Sequence, residues 1–195
     1  RSALAQSVAV RRDPRACARV PPRARRRRVS ADRRRRRRRD HRRPRRARDE
    51  KPKVSAFLSA KTDKIMALQP DCVFGFSDLQ ADIAADLVKR GVQVAIFNQR
   101  SVSDIFSMLY QVAAMVGEAE QGARRIAQMQ ADLRAMQAAV AARLAAGARR
   151  PTVFFEEWDE PHISCIRWVS ELMTIAGGDD CFPELAQEPM GKQRI

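Results

Sequence analysis

Trp158 stands among Glu156, Glu157, Asp159 and Glu160, an aromatic side chain set between four carboxylates. Burial in a core does not suit such a position, and contact with a ligand is the role expected of it. Two further groups, Phe76-Ser77-Asp78 and Asn98-Gln99-Arg100, each follow a short apolar run. Aromatic faces supply contact area and a few polar groups fix orientation, so this inventory suits binding. Catalysis finds no comparable set. His41 and His162 are isolated, and no H-E-x-x-H pattern is present to hold a metal. Cys17, Cys72, Cys165 and Cys181 contain no C-x-x-C, which indicates neither zinc nor a disulfide framework. Glu156 and Glu157 would point to opposite sides of an extended strand and so cannot form an acid/base pair. There is no G-x-x-x-x-G-K-[ST] for a nucleotide. The expectation is a binding protein with no enzymatic activity, no metal and no resident cofactor.

The elements that would carry these residues alternate between strand and helix, which argues for an α/β fold with a largely parallel sheet. Residues 71–76 are a short apolar run after Pro70, suited to a buried strand. Ser77-Asp78-Leu79-Gln80 has capping-box spacing, with Gln80 at the third helical position. A helix over 78–90 should end at Gly91, with Leu79, Ile83, Leu87 and Val88 on the face that covers the sheet. Residues 92–97 are the next strand. Ligands of open α/β sheets gather at the carboxyl ends of such strands, which places Phe76, Ser77, Asn98 and Gln99 at the expected site.

Ser101, with Asp104 three residues on, opens an Ala-rich stretch without proline that reaches about Gly147. Its apolar residues recur at helical spacing, and one continuous helix of that length would span roughly 60 Å. The residues alone favour two helices broken near Gly117 to Gly122, or a coiled-coil segment. Pro151 restarts the chain, 152–155 reads as a strand, and 156–161 reads as a loop leaving it. An amphipathic helix carrying Trp168, Leu172 and Ile175 then stops at Gly177-Gly178.

Charge divides the chain in two. Of 38 Lys and Arg and 23 Asp and Glu, residues 1–50 hold 22 Arg and 5 acids, a net +17. The other 145 residues carry 16 bases and 18 acids, a net −2. The high overall charge therefore says nothing about the partners of the larger part. The basic segment, with runs at 25–28 and 33–39, has neither helical nor strand periodicity and is expected to be disordered. It contains no Lys, and Arg, Ala and Pro share GC-rich codons, so an out-of-frame, non-native origin is the favoured explanation. The alternative is a polyanion- or nucleic-acid-binding tail acting through phosphate contacts. No apolar segment of signal-peptide form is visible at its start.

The segments 155–182, FEEWDEPHISCIRWVSELMTIAGGDDCF, and 62–102, which contains DKIMALQPDCVFGFSDLQADIAADLVKRGVQVAIFNQRSV, together resemble class III periplasmic binding proteins, in particular the cobalamin-binding branch. The resemblance runs from residue 51 to 195. It implies a two-lobed α/β fold with a long interlobe helix and with both lobes incomplete. The implied division is 51–101 for a partial amino-terminal lobe, 102–150 for the interlobe helix, with allowance for a turn before or within it, and 151–195 for a partial carboxy-terminal lobe.

The function implied is the substrate-binding component of an ABC importer, a monomer of the periplasm or cell envelope that delivers its ligand to permease subunits. Cobalamin or another corrinoid is the implied ligand, with ferric siderophore or haem as alternatives on the same scaffold. Carried over residue by residue, the ligand contacts are Phe76 and Ser77 from one lobe and Glu157 and Trp158 from the other, with Asn98 and Gln99 in addition. Asp63 is the implied permease-docking acid, at a position where the family usually has Glu.

Overall fold

The structure, a computed structural model, describes residues 8–10, 52–56 and 59–195. The expectations for residues 1–50 fall outside the described residues, with one exception. Val8–Val10 forms a strand, β1, antiparallel to the edge of the first sheet. A Val-Ala-Val triplet has the β-branched composition that an open strand edge recruits.

That sheet is built on β2 (Cys72–Phe76) and β3 (Val94–Phe97), paired in parallel with Phe76 opposite Phe97. Helices α1 (Thr62–Ala67) and α2 (Ala81–Lys89) accompany it. Val73 of β2, Ile65 of α1, Leu87 of α2, Val54 and Val92 form the buried cluster, with Ile83 and Val94 packed on it. This is the helix-on-sheet arrangement that the sequence period implies for Ile83 and Leu87, whereas Leu79 and Val88, expected on the same face, are exposed. Gly91, at φ +81°, ends α2 where a left-handed residue was expected. Val92 stays outside β3 because its N–H closes that turn onto the Leu87 carbonyl at 3.0 Å.

The entry to α2 differs from the expected capping box. Ser77 adopts φ +65°, and its hydroxyl accepts from the Leu79 N–H, one residue early. The Gln80 side chain turns back past Ser77 to accept from the Phe76 N–H at 2.9 Å. The first turn, Asp78–Gln80, is consequently a 3₁₀ turn rather than the start of the α-helix.

The Ala-rich stretch is two helices, α3 (Val102–Met115) and α4 (Ala119–Ala145). The interlobe helix implied by the resemblance is interrupted at 116–118, a turn within it as allowed for, where Gly117 takes φ +80°. Gly122 sits against Ala113 closely enough that a side chain there would collide, so the two helices meet just past the turn. At the other end of α4, Val140 packs against Gly177. No described helix is long and apolar enough to cross a membrane.

The last part of the chain has β4 (Thr152–Val153) parallel to β7 (Asp179–Asp180), with α5 (Arg167–Ile175) between them in sequence. Residues 156–161 were expected to be a loop, and here the structure corrects the sequence reading. Glu156–Asp159 is a strand, β5, paired antiparallel with β6 (His162–Ser164) across the Glu160–Pro161 turn. The acids can occupy a strand because the two on its inner stretch have partners: Glu156 meets His162 Nδ1 at 2.7 Å and Glu157 meets Arg194 at 2.6 Å.

Candidate functional site

At the carboxyl ends of β2 and β3, backbone pairing brings the first group of expected residues together. The Ser77 N–H donates to the Phe97 carbonyl at 2.6 Å, which ties the loop after β2 to the end of β3. Gly75 permits this crowding, since a Cβ there would lie 2.5 Å from Ile96 Cδ1 and 2.9 Å from Gln80 Oε1. Phe76 is half-buried, while Ser77 is completely buried and caps the 3₁₀ turn. Asn98 is exposed and Gln99 half-buried.

Arg100, which the sequence reading placed here without choosing it, organises the surface. Its guanidinium lies 5.6 Å from the centroid of the Phe76 ring, within cation–π range, and pairs with Asp78 at 3.3 Å. Its backbone N–H and that of Ser101 both donate to Asp104 Oδ2, at 3.0 and 2.9 Å. Led by the Arg100 N–H, these bonds hold the Asp104 carboxyl below its ordinary value. Ser101 Oγ accepts from the Asp104 N–H in return, so the start of α3 is a closed capping box.

The same helix end is joined to the second half of the chain. Glu171 of α5 accepts from the Val102 N–H through Oε2 at 2.7 Å and from Arg167 through Oε1 at 2.8 Å. One carboxylate thus satisfies a free N–H of α3 while fixing α5 beside it.

In the second half, Glu157 and Trp158 lie on β5 with different surroundings. Glu157 binds Arg194, whose side chain is only 3% exposed and also donates to the carbonyls of Ser164, Glu188 and Pro189. Trp158 is 40% exposed, and its Nε1 donates to the Glu160 carbonyl at 3.0 Å. The indole is thereby fixed at one edge. Cys165 is buried beside Asp180 Oδ2 at 3.4 Å. Burial first, and the Asp180 carboxylate second, push its thiol up to about 12.

Phe154 and Phe155, which the sequence reading assigned to a strand, stand past the carboxyl end of β4, and a third phenylalanine lies past that of β7. Phe154 and Phe155 follow the two residues of β4 and are exposed, and Phe182 follows β7. Phe154 and Phe182 pack edge to face at 5.9 Å. No local signal could have placed Phe182, since Asp179-Asp180 is a pair of residues depleted in strands and pairs only through β4.

Asp63 stands apart from these groups, in the first turn of α1. Its side chain is 93% exposed and meets Arg90 at 2.8 Å, and this bond is the leading cause that raises the Arg90 pKa. Among the described residues no group of three His, Cys, Asp or Glu is placed to hold a metal ion. A groove of about 90 Å³ between the ends of α4 and α5 includes Val140, Arg143, Pro151 and Gly177 in its lining and shares no residue with the strand-end groups.

The chain can be compared with known proteins on this geometry. A family model described as periplasmic binding protein matches residues 34–195. Among solved structures, the periplasmic vitamin B12 binding protein BtuF of Vibrio cholerae is similar with a TM-score of 0.58 and 17% identity, over 74% of this chain and 55% of that one. A periplasmic heme binding protein from Pseudomonas aeruginosa gives 0.58 and 18%, over 69% of this chain and 50% of that one. The periplasmic heme-binding protein RhuT from Roseiflexus sp. RS-1 gives 0.57 and 21%, over 68% and 51%. The chain therefore spans about half the length of these structures. No curated protein matches it. The fold is that of two-lobed class III periplasmic binding proteins, here with the helices α3 and α4 between the two sheet regions. The family is one of solute-binding proteins rather than enzymes, and the chain belongs to the periplasmic binding protein family.

Proposed function

We propose that this chain acts as the substrate-binding component of an ABC importer and holds a corrinoid, cobalamin in the first instance, in a cleft between its two sheet regions. The observation that carries the reading is the repetition of one arrangement in both halves. Exposed or half-exposed aromatic rings stand at or just past the carboxyl ends of paired parallel strands: Phe76 and Phe97 in the first, Phe154, Phe155 and Phe182 in the second. Carboxyl ends of parallel strands are where open α/β sheets receive ligands. A large, partly apolar ring system needs aromatic area with a few polar groups to orient it. Asn98 and Gln99 supply polar groups on one side, where Ser77 is wholly buried and serves by capping the turn beneath them, and Trp158 and Glu157 supply groups on the other.

In this reading Asp63 is the docking acid toward a permease subunit, and its exposure supports that use. Such a charge contributes orientation more than affinity. The chain would act as a monomer in the periplasm or cell envelope. Similarity to heme-binding structures as well as to a vitamin B12 binding protein makes haem and ferric siderophores the competing ligands.

Competitive titration of the purified chain decides among them, with the quenching of Trp158 and Trp168 fluorescence as the signal. Saturable quenching by cyanocobalamin that hemin and a ferric siderophore do not displace supports the corrinoid assignment. Saturation by hemin or the siderophore, with no response to cyanocobalamin, overturns it.

A further inference from the structure

Two polar atoms at the carboxyl end of β3 are shut away from solvent without a hydrogen-bond partner: Oε1 of Gln99 and Nε of Arg100. Orphaned groups of this kind are rare in folded proteins, because the lost hydration is not repaid. Here an acceptor and a donor are orphaned on consecutive residues. Both belong to the strand-end surface already described. The Arg100 guanidinium lies over the Phe76 ring at 5.6 Å and is tethered to solvent-exposed Asp78 at a long 3.3 Å. That tether is weak, since an exposed pair contributes little. Outward rotation of the Gln99 and Arg100 side chains would give both orphaned atoms access to a partner and uncover the Phe76 ring.

We propose that Gln99 and Arg100 form a subsite for a primary carboxamide of the ligand. The Arg100 Nε–H donates to the amide carbonyl, and Gln99 Oε1 accepts from the amide N–H. The proposal deepens the corrinoid reading and rests on it. The rim of a corrinoid carries primary carboxamides, whereas haem carries carboxylates. A carboxylate would satisfy Arg100 but would set a second acceptor against Gln99 Oε1. The orientation of the Gln99 amide is decisive. Turned over, it would present a donor beside Arg100, and the pair would then prefer a carboxylate. The two orientations give opposite selectivities.

The test uses the whole chain and two probes: dicyanocobinamide, whose peripheral amides are intact, and dicyanocobyrinic acid, in which carboxylates replace them. Each is titrated into the wild type and into Gln99→Leu, Arg100→Met and Gln99→Glu, with circular dichroism confirming that each variant is folded. The wild type is expected to bind cobinamide roughly tenfold more tightly than the acid, the cost of leaving Gln99 Oε1 facing a second acceptor without its hydrogen bond. Gln99→Leu and Arg100→Met should lose most of that preference. Gln99→Glu, nearly the same in shape, should reject the acid further through like charge.

Tighter binding of the acid by the wild type, or a preference unchanged in the variants, overturns the subsite and leaves the corrinoid reading in place. Equal binding of both probes does the same. If the folded wild type binds neither corrinoid but binds hemin, the corrinoid reading fails and the subsite fails with it.

Discussion

Arg194 gives the most demanding test of how the second half of the chain is held together. Its side chain is 3% exposed and makes four hydrogen bonds: to the carbonyls of Ser164 at 3.2 Å, Glu188 at 3.1 Å and Pro189 at 3.3 Å, and to Glu157 at 2.6 Å. Substitution by Met keeps much of the apolar stem but strands one carboxylate and three carbonyl oxygens. Removing one partner of a buried ion pair costs about 3–5 kcal/mol. The Glu157 side chain is 30% exposed and can recover part of its hydration, which points to the lower end, about 3 kcal/mol. At roughly 2–4 °C per kcal/mol for a domain of this size, Tm should fall by about 6–12 °C. Urea unfolding followed by tryptophan fluorescence measures the change as a lower midpoint at unchanged slope. Since β5 also carries Trp158, the native emission should shift to the red as the hairpin loosens. A loss under about 1 kcal/mol would show that the bonds to Arg194 do not hold the hairpin, since that is the range of an ordinary exposed pair.

Other expectations follow from single contacts. Gly75→Ala places a Cβ 2.5 Å from Ile96 Cδ1 and should lower stability by about 1–3 kcal/mol in thermal melts, as overpacking does. Ser101→Ala opens the capping box of α3 and should cost about 1 kcal/mol by the same measurement. The Asp104 pKa is lowered in the folded chain, so its stabilisation is complete above its ordinary value of 3.8 and is lost as pH falls through the lowered value. Asp104→Asn should therefore flatten the stability profile below pH 3.8, as read from urea midpoints. The Cys165 pKa is raised from 9.0 to about 12, so the folded state loses stability between those values as the unfolded thiol ionises. Cys165→Ala should remove that alkaline decline, and iodoacetamide at pH 8 should label Cys165 far more slowly than Cys72 or Cys181, both of which are less buried.

The first half of the fold was legible because its signals are local. Val73 and Leu87 fall on the buried faces that strand and helix periods assign them, and Gly91 takes the left-handed turn that ends α2. The break at Gly117 was visible in the residues, although the resemblance argued for continuity across it. What escaped was set by partners distant in sequence. An acidic run read as a loop becomes β5 because Glu156 finds a hydrogen-bond partner in His162 and Glu157 an ion-pair partner in Arg194, 6 and 37 residues away. Phe154 and Phe155 read as strand because nothing local shows that β4 stops at Val153. The stacking of Arg100 on Phe76 depends on the register of β2 with β3, which no single stretch encodes. The groups at the strand ends were therefore identifiable by position, while their organisation by Arg100 was not.

The central claim is that one corrinoid is held by groups from both halves. Calorimetric titration of cyanocobalamin into the wild type, Phe76→Ala, Trp158→Ala and the double variant tests it most directly. The account predicts a single site of one ligand per chain, roughly tenfold weaker in each single variant as a buried aromatic contact is lost, and weaker again in the double variant. Absence of binding to the folded wild type, or affinity unchanged by both single substitutions, would contradict it.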